Sequence, residues 1–285
     1  MKILIIGGTG TLGNCLVEKL YGKHDLTVFS RDELKQQTMK KKYPDCRYII
    51  GDVRHMSSLS MAMHGQDACF HVAALKHVDV LEDNPEESVY TNILGTINIS
   101  NLAIKSGVKH VVFSSTDKAV HPINTYGMSK GISEKILLRK NETQKNTHFA
   151  IYRWGNVIGS RGSAIYSFVD SLMKEGSAYL TDESMTRFWI RIEDAVDFML
   201  STFMNSSGVM IPPMKSASVK NVVDVISEIL QISEYRTFVT GMRRGEKITE
   251  EIDFGKDSAT SEQYTKEELK KLIEPVVQEI LCLHS

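Results

Sequence analysis

The chain has 285 residues with 34 Lys and Arg against 35 Asp and Glu, a net charge of −1, which leaves room for one large α/β domain or a core domain with a smaller lobe. Its 42% apolar and 24% charged content excludes a disordered chain, a coiled coil and a collagen-like fibre. The even charge gives no footprint for nucleic acid and no attraction to an anionic membrane, so an anionic ligand must be met by local groups.

Short apolar runs alternate with helical patterns along the first half. Ile3 to Ile6 reads as a buried strand, followed by Gly7-Gly8-Thr9-Gly10-Thr11-Leu12-Gly13 and a helix to about Tyr21. Leu26 to Phe29, Arg47 to Ile50, Ala68 to Val72, Val111 to Ser114 and Phe149 to Arg153 read as five further strands. The longest helical segments run from about Glu86 to Ser106 and from Thr125 to Lys140. Continuous apolar strands separated by helices predict an α/β fold class: a Rossmann-type, doubly wound parallel sheet covered on both faces, with its ligand beyond the carboxyl ends of the strands. After Arg153 glycines and Pro212-Pro213 punctuate shorter elements, so domains over residues 1–153 and 154–285 are expected, with some later segments returning to the first. The second domain reads as a smaller lobe closing over the cleft. Glu267 to Cys282 reads as a final amphipathic helix interrupted at Pro275. Cys15, Cys46, Cys69 and Cys282 have no C-x-x-C spacing and read as reduced thiols in a cytoplasmic protein. The first apolar run is too short for a signal peptide, and no stretch is long enough to span a bilayer.

Gly7, Gly10 and Gly13 stand directly after the first strand and open a helix. Glycines there permit a tight turn and a close backbone approach to a pyrophosphate, and the helix N-terminus offers oriented N–H groups to it. Thr9, Thr11 and Leu12 belong to the same loop. The residues after the second strand select the cofactor: an acid would bind the 2′-hydroxyl of NAD, a base the 2′-phosphate of NADP. Ser30, Arg31 and Lys35 favour NADP, while Asp32 keeps NAD open as the lesser reading. The G-x-x-G-x-x-G spacing resembles the short-chain dehydrogenase/reductase superfamily. That resemblance implies adenine contacts at Asp52 and Val53, and a close pass of the backbone at Ala73 and Ala74.

Tyr126 and Lys130 form Y-x-x-x-K, a spacing that puts both side chains on one helix face. A lysine beside the phenol would draw its pKa down from about 10 and let it take a proton from a sugar hydroxyl. Before it lies Ser114-Ser115-Thr116-Asp117-Lys118, which adds an acid and an amine at the end of the fifth strand. A simple oxidoreductase needs only the Ser or Thr; the extra pair suggests further proton transfers, as in a dehydration. Nothing in the histidine spacing suggests a metal site.

Thr116-Asp117-Lys118-Ala119, Pro122-Ile123-Asn124 and Tyr126-Gly127-x-Ser129-Lys130 resemble the C5-inverting UDP-N-acetylglucosamine 4,6-dehydratases of pseudaminic acid and related surface-glycan routes. Arg153-Trp154-Gly155-Asn156-Val157, Thr181-Asp182-x-x-Met185-Thr186-Arg187-Phe188-Trp189 and Gly241-x-Arg243-x-Gly245-Glu246-Lys247 extend the resemblance over roughly Met1 to Ile252. It implies catalysis by Thr116, Asp117, Lys118, Tyr126 and Lys130. The cofactor would be held by the glycine loop, Lys76, Tyr126 and Lys130, and the substrate by Lys76, His77, Asn156, Arg161, Thr181, Arg187, Arg243 and Glu246. It also implies an NADP-binding first domain, a mainly substrate-binding second one, and a homo-oligomer paired through the long helices. Three departures stand out: Arg244 where the family has Pro, Trp154 where it has Tyr, and a trimmed tail, Asp253 to Ser285, unlike the family's longer C-terminal region. Other readings of the same residues are a UDP-sugar 4-epimerase, a C5-retaining dehydratase, and a non-catalytic NADP-sensing regulator.

Overall fold

The computed structural model describes residues 1–160 and 162–284. β1 (Lys2–Ile6) leads into α1 (Thr11–Leu20), β2 (Asp25–Ser30) into α2 (Glu33–Lys42), and β3 (Arg47–Ile50) into α3 (Met56–Met63). β4 (Ala68–His71) is followed by α4 (Val78–Asp83), α5 (Pro85–Ser88), a π-helical stretch over Val89–Leu94, and α6 (Gly95–Ser106). β5 (His110–Ser114), a 3-10 turn at Asp117–Ala119, α7 (Thr125–Thr143) and β6 (His148–Tyr152) come next. Then follow β7 (Asn156–Ile158), α8 (Ala164–Glu175), β8 (Ser177–Leu180), β9 (Thr186–Arg191), α9 (Ile192–Thr202) and β10 (Gly208–Met210). The chain ends with β11 (Lys215–Ser218), α10 (Val219–Ile229), β12 (Arg236–Val239), β13 (Glu251–Asp253), β14 (Lys256–Asp257) and α11 (Lys266–His284).

Seven strands form one sheet in the order β10-β6-β5-β4-β1-β2-β3, and every neighbouring pair is parallel. Helices on both faces bury it, which is why Ile3 to Ile6, Ala68 to Phe70 and Phe149 to Tyr152 are apolar without alternation. The chain winds outward from β1 through β2 and β3, then restarts on the other side with β4. That reversal opens a crevice outside the carboxyl ends of β1 and β4, where this fold class binds ligands.

Two compact units divide the chain. One contains Met1–Arg153 with Val196–Pro212, the other Trp154–Ala195 with the chain from Pro213 onward. The returning segment brings the seventh strand, whose pairing to β6 joins Gly208 with Ala150 and Met210 with Tyr152. Phe203 packs on Phe70 at 5.2 Å, and the Tyr152 hydroxyl meets Thr202 Oγ1 at 2.8 Å. In the second unit β11, β9 and β7 form a small sheet, and β8 pairs with β12 in parallel. Ile165, Val169, Val222, Ile226, Ile273 and Val277 from α8, α10 and α11 build its core.

Two helices differ from expectation. The run from 86 to 106 carries a π-helical stretch in its first half, and α11 continues through Pro275 without interruption. Pro275 and Lys271, whose carbonyl loses its donor, both lie on the exposed side of α11. The missing hydrogen bond is therefore left to water, while Leu269, Ile273, Val276, Val277 and Ile280 stay buried on the other side. Among the described residues no helix is long and apolar enough to cross a membrane, and no cluster of His, Cys, Asp and Glu could hold a metal ion. Because Pro275 sits on the exposed side, Pro275→Ala restores a helix bond without opening the core; urea unfolding should show a gain of about 1–3 kcal/mol, and a loss would contradict this account.

Candidate active site

The glycine loop is pressed against the sheet. Gly7 has φ +87°, and a Cβ there would lie 2.7 Å from the Ala73 nitrogen; one on Gly13 would lie 2.4 Å from the Gly7 carbonyl. Ala73 thus passes beside the loop at the switch point, with Ala74 next in the chain. Gly10 is the N-cap residue of α1, which has no side-chain cap and no acid in its first turn. A helix N-terminus with neither a side-chain cap nor an acid fits a pyrophosphate, so the residues present suit a dinucleotide. Thr9 is buried within the loop, with Thr11 and Leu12 half-buried beside it.

After β2, Ser30 is buried and its Oγ accepts from Gln36 Nε2 at 3.0 Å. Asp32 caps α2, accepting the Lys35 N–H at 3.0 Å, and pairs with Lys35 Nζ at 2.8 Å. Arg31 is exposed and stands 3.6 Å from Asp52. Asp52 is gripped by Arg54, which donates through Nε at 3.0 Å and through its second terminal nitrogen at 2.8 Å. Val53 is buried under Gly95, and its carbonyl accepts from Asn98 at 3.0 Å.

At the carboxyl end of β5 the chain turns sharply over Asp117–Ala119. The Thr116 hydroxyl donates to Asp117 Oδ1 at 2.9 Å, and Lys118 Nζ pairs with the same oxygen at 3.1 Å. Asp117 is fully buried, and its Oδ2 has no hydrogen-bond partner. Asn124 caps α7 through the Gly127 N–H at 2.7 Å, and Glu82 takes the Thr125 N–H at 2.7 Å. The second residue of that helix is Tyr126. Burial pushes its phenol up to about 12; Lys118 and a hydrogen bond with Thr116 draw it down, while Asp117 raises it. Lys130 is buried, donates to the Ser114 carbonyl at 2.6 Å and lies over the Phe113 ring at 4.2 Å. Burial depresses its ammonium to about 7, with Glu134 opposing.

Sequence reasoning missed the supports. Glu134, one turn beyond Lys130, accepts from Arg153 Nε at 2.9 Å, from a terminal Arg153 nitrogen at 2.6 Å, and from the Ser115 hydroxyl. Asn92, in the π-helical stretch, donates to the Leu75 carbonyl at 2.9 Å and to Ser129 at 3.0 Å. Its own carbonyl accepts from the Thr96 and Ser133 hydroxyls at 2.6 and 3.1 Å. Thr96 therefore accepts from His71 at 3.0 Å, and burial, with Lys130 adding, holds that histidine down to about 3 and neutral. The i, i+4, i+8 spacing of Tyr126, Lys130 and Glu134 was a readable signal; the contacts of Asn92 were not.

Lys76 and His77 are exposed, His77 at the N-cap of α4. In the second unit, Thr181 follows β8 and the turn of Arg243 and Glu246 follows β12, so the parallel pair delivers both to one end. Thr240 N–H closes on the Leu180 carbonyl at 2.7 Å, and Arg243 N–H donates to Glu246 Oε2 at 3.3 Å. Arg187 is buried and donates to the carbonyls of Thr186, Ile248 and Lys247 at 2.7, 2.9 and 2.7 Å, so much of its guanidinium organises the backbone. Asn156 opens β7 opposite Trp189. Arg161 lies outside the described residues.

The Lys130 value has a consequence for stability. An unfolded lysine titrates near about 10.4 and the folded one near 7, so between those values the unfolded chain holds a proton that the folded chain has released, and stability rises with pH. Compared with Lys130→Met, the native chain should gain up to about 1.4 kcal/mol per pH unit from about pH 7 to 10 in denaturant unfolding. A pH-independent difference would contradict the buried-ammonium assignment.

A family model described as polysaccharide biosynthesis protein matches residues 3–271, beyond the Ile252 limit of the sequence motifs. The added stretch carries packing groups such as Ser258 and Leu269, both buried, and no polar site motif. A UDP-N-acetylglucosamine 4,6-dehydratase (inverting) from Campylobacter jejuni strain 81-176 is 41% identical, over 90% of this chain and 78% of its own. A UDP-glucose 4-epimerase from Rickettsia felis is 36% identical, over 91% of this chain and 80% of its own. The X-ray structure of Pen from Bacillus thuringiensis superposes with a TM-score of 0.89 at 32% identity, covering 96% of this chain and 97% of that one. The chain belongs to the polysaccharide biosynthesis protein family, built on a Rossmann-like fold of the short-chain dehydrogenase/reductase type.

Proposed function

We propose that the chain is a UDP-N-acetylglucosamine 4,6-dehydratase that inverts C5. The observation that carries this reading is the Asp117–Lys118 pair beside Tyr126, 3.1 Å apart and with one carboxylate oxygen buried and unpaired. Tyr126 takes the proton of the sugar 4-hydroxyl, and Thr116 holds the 4-oxygen. A nicotinamide cofactor held at the glycine loop would supply reversible hydride storage between C4 and C6. The ketone at C4 acidifies the C5 hydrogen. Moving one proton from Lys118 Nζ to the carboxylate makes both partners competent: the amine removes the C5 proton, and Asp117 protonates the departing 6-hydroxyl, which leaves as water. Solvent then protonates C5 on the opposite face and Tyr126 gives up to solvent the proton it took, which completes the inversion and resets the site. Lys130 holds the nicotinamide ribose.

NADP is the favoured cofactor. Asp32 is engaged in capping α2 and in pairing with Lys35, whereas Arg31 is exposed beside Ser30, 3.6 Å from Asp52, and brings positive charge for a 2′-phosphate. Asp52, Val53, Ala73, Ala74 and Lys76 complete the cofactor set. His77 faces the sugar, and Asn156, Thr181, Arg187, Arg243 and Glu246 hold UDP, as the family resemblance implies. Val89, Tyr90, Leu94, Met128 and Ile132 are exposed apolar groups on the paired helices of the first unit, which supports a homo-oligomer. The product would feed a cytoplasmic surface-glycan route of the pseudaminic acid kind.

Incubation with UDP-N-acetylglucosamine and NADP⁺ in deuterated water should give a 4-keto-6-deoxy sugar with deuterium at an inverted C5, read by NMR. A C4 epimer alone would establish the epimerase reading, an unchanged C5 configuration the retaining one, and an unchanged sugar the regulator. Lys118→Ala should lower turnover about 100-fold or more, and full turnover in that variant would remove the lysine as base. Arg31→Ala should weaken NADP binding about tenfold while sparing NAD, and an equal loss for both would contradict the 2′-phosphate contact.

A further inference from the structure

The turn that carries Asp117 and Lys118 rests on α7 at two glycines. A Cβ on Gly127 would lie 2.1 Å from the Lys118 carbonyl oxygen, 3.0 Å from its carbon and 3.2 Å from Asn124 Oδ1. A Cβ on Gly131, one helical turn later, would lie 3.2 Å from the Ala119 carbonyl oxygen. Neither glycine has a positive φ, so the backbone conformation does not call for glycine at either place. Both sit inside a 19-residue helix, where glycine is a poor helix former. What the two positions share is the close approach of the turn.

The turn is internally braced. Ala119 N–H donates to the Thr116 carbonyl at 3.2 Å and Val120 N–H to that of Asp117 at 2.9 Å. Lys118 N–H reaches both Thr116 Oγ1 and Asp117 Oδ1, at 3.3 and 2.8 Å. A side chain pushed against it would move it as a body, carrying Asp117 and Lys118 away. Tyr126 and Lys130 belong to the helix and would remain. The tyrosine proposed to take the 4-hydroxyl proton thus stands on α7, and the pair proposed for elimination stands on the turn; Thr116 and Lys118 also act on Tyr126, so a shifted turn weakens the first step too, but less than the elimination that needs both displaced groups.

We infer that Gly127, seconded by Gly131, is a positioning residue that sets how far the reaction proceeds, by seating the Asp117–Lys118 turn against the helix that carries Tyr126. The inference rests on the dehydratase reading. Relieving a 2.1 Å contact takes a shift of about 1 Å, and a displacement of that size costs on the order of 100-fold in a step that depends on the displaced groups.

The test uses the full chain with NADP⁺ and UDP-N-acetylglucosamine in deuterated water. Three quantities are read: reduced nicotinamide formed in a single turnover, deuterium entering C5, and 4-keto-6-deoxy product. Gly127→Ala should lower C5 exchange and product about 100-fold while hydride removal from C4 falls less than about tenfold. Gly131→Ala, with its milder contact, should shift the same ratio in the same direction by a smaller factor, and it carries the test if Gly127→Ala does not fold, as judged by its melting midpoint. Equal losses in all three quantities, or no change in either variant, would overturn the inference. A native chain that forms no 4-keto-6-deoxy sugar would instead overturn the dehydratase reading, and this inference with it.

Discussion

Glu134 and Arg153 form an ion pair out of water, with side chains only 4% and 11% exposed. Burying such a pair adds little net stability, since desolvation offsets the attraction, but losing one partner costs about 3–5 kcal/mol. Its effect is therefore on position. The guanidinium comes from the end of β6, the Ser115 hydroxyl from the end of β5, and the carboxylate from α7. Three elements distant in sequence are held at one point, one turn from Lys130 and two from Tyr126. The Lys130 bond to the Ser114 carbonyl and the cap of Asn124 depend on that alignment.

Around this point the first unit separates its tasks. The N-terminus of α1 has no side-chain cap and no acid in its first turn, while the titratable side chains cluster on α7 and the Asp117–Lys118 turn. The relatives carry the names of a dehydratase and of an epimerase at 41% and 36% identity over nearly the same span.

Much of the first unit was legible because its signals are local. Both-faced burial makes each strand a short apolar run, and a strand followed by three glycines and a helix reads directly as an anion loop. The Y-x-x-x-K spacing needs only the helical period. What stayed hidden depends on distance in sequence. β10 is a three-residue strand whose pairing to β6, 58 positions earlier in register, no periodicity announces. The π-helical stretch at Asn92 is defined by its contacts to Leu75, Ser129 and Ser133, on other elements. Pro275 looked like a helix stop because a sequence pattern cannot weigh one lost bond against five buried side chains. Arg187 was assigned to the substrate through the family motif, and its carbonyl partners at 247 and 248 show much of its guanidinium organising a loop.

The cap on α2 has a bearing on how cofactor choice can change. Asp32 occupies the place where an acid could select a ribose hydroxyl, but its carboxylate closes the first turn of a helix and its second oxygen holds Lys35. Turning it toward a ribose would leave α2 uncapped, at about 1 kcal/mol, and would free a lysine beside the new ligand. Cofactor preference and helix stability are thus linked through one side chain, and a lineage drifting from one dinucleotide to the other would need a replacement cap before it could change its preference.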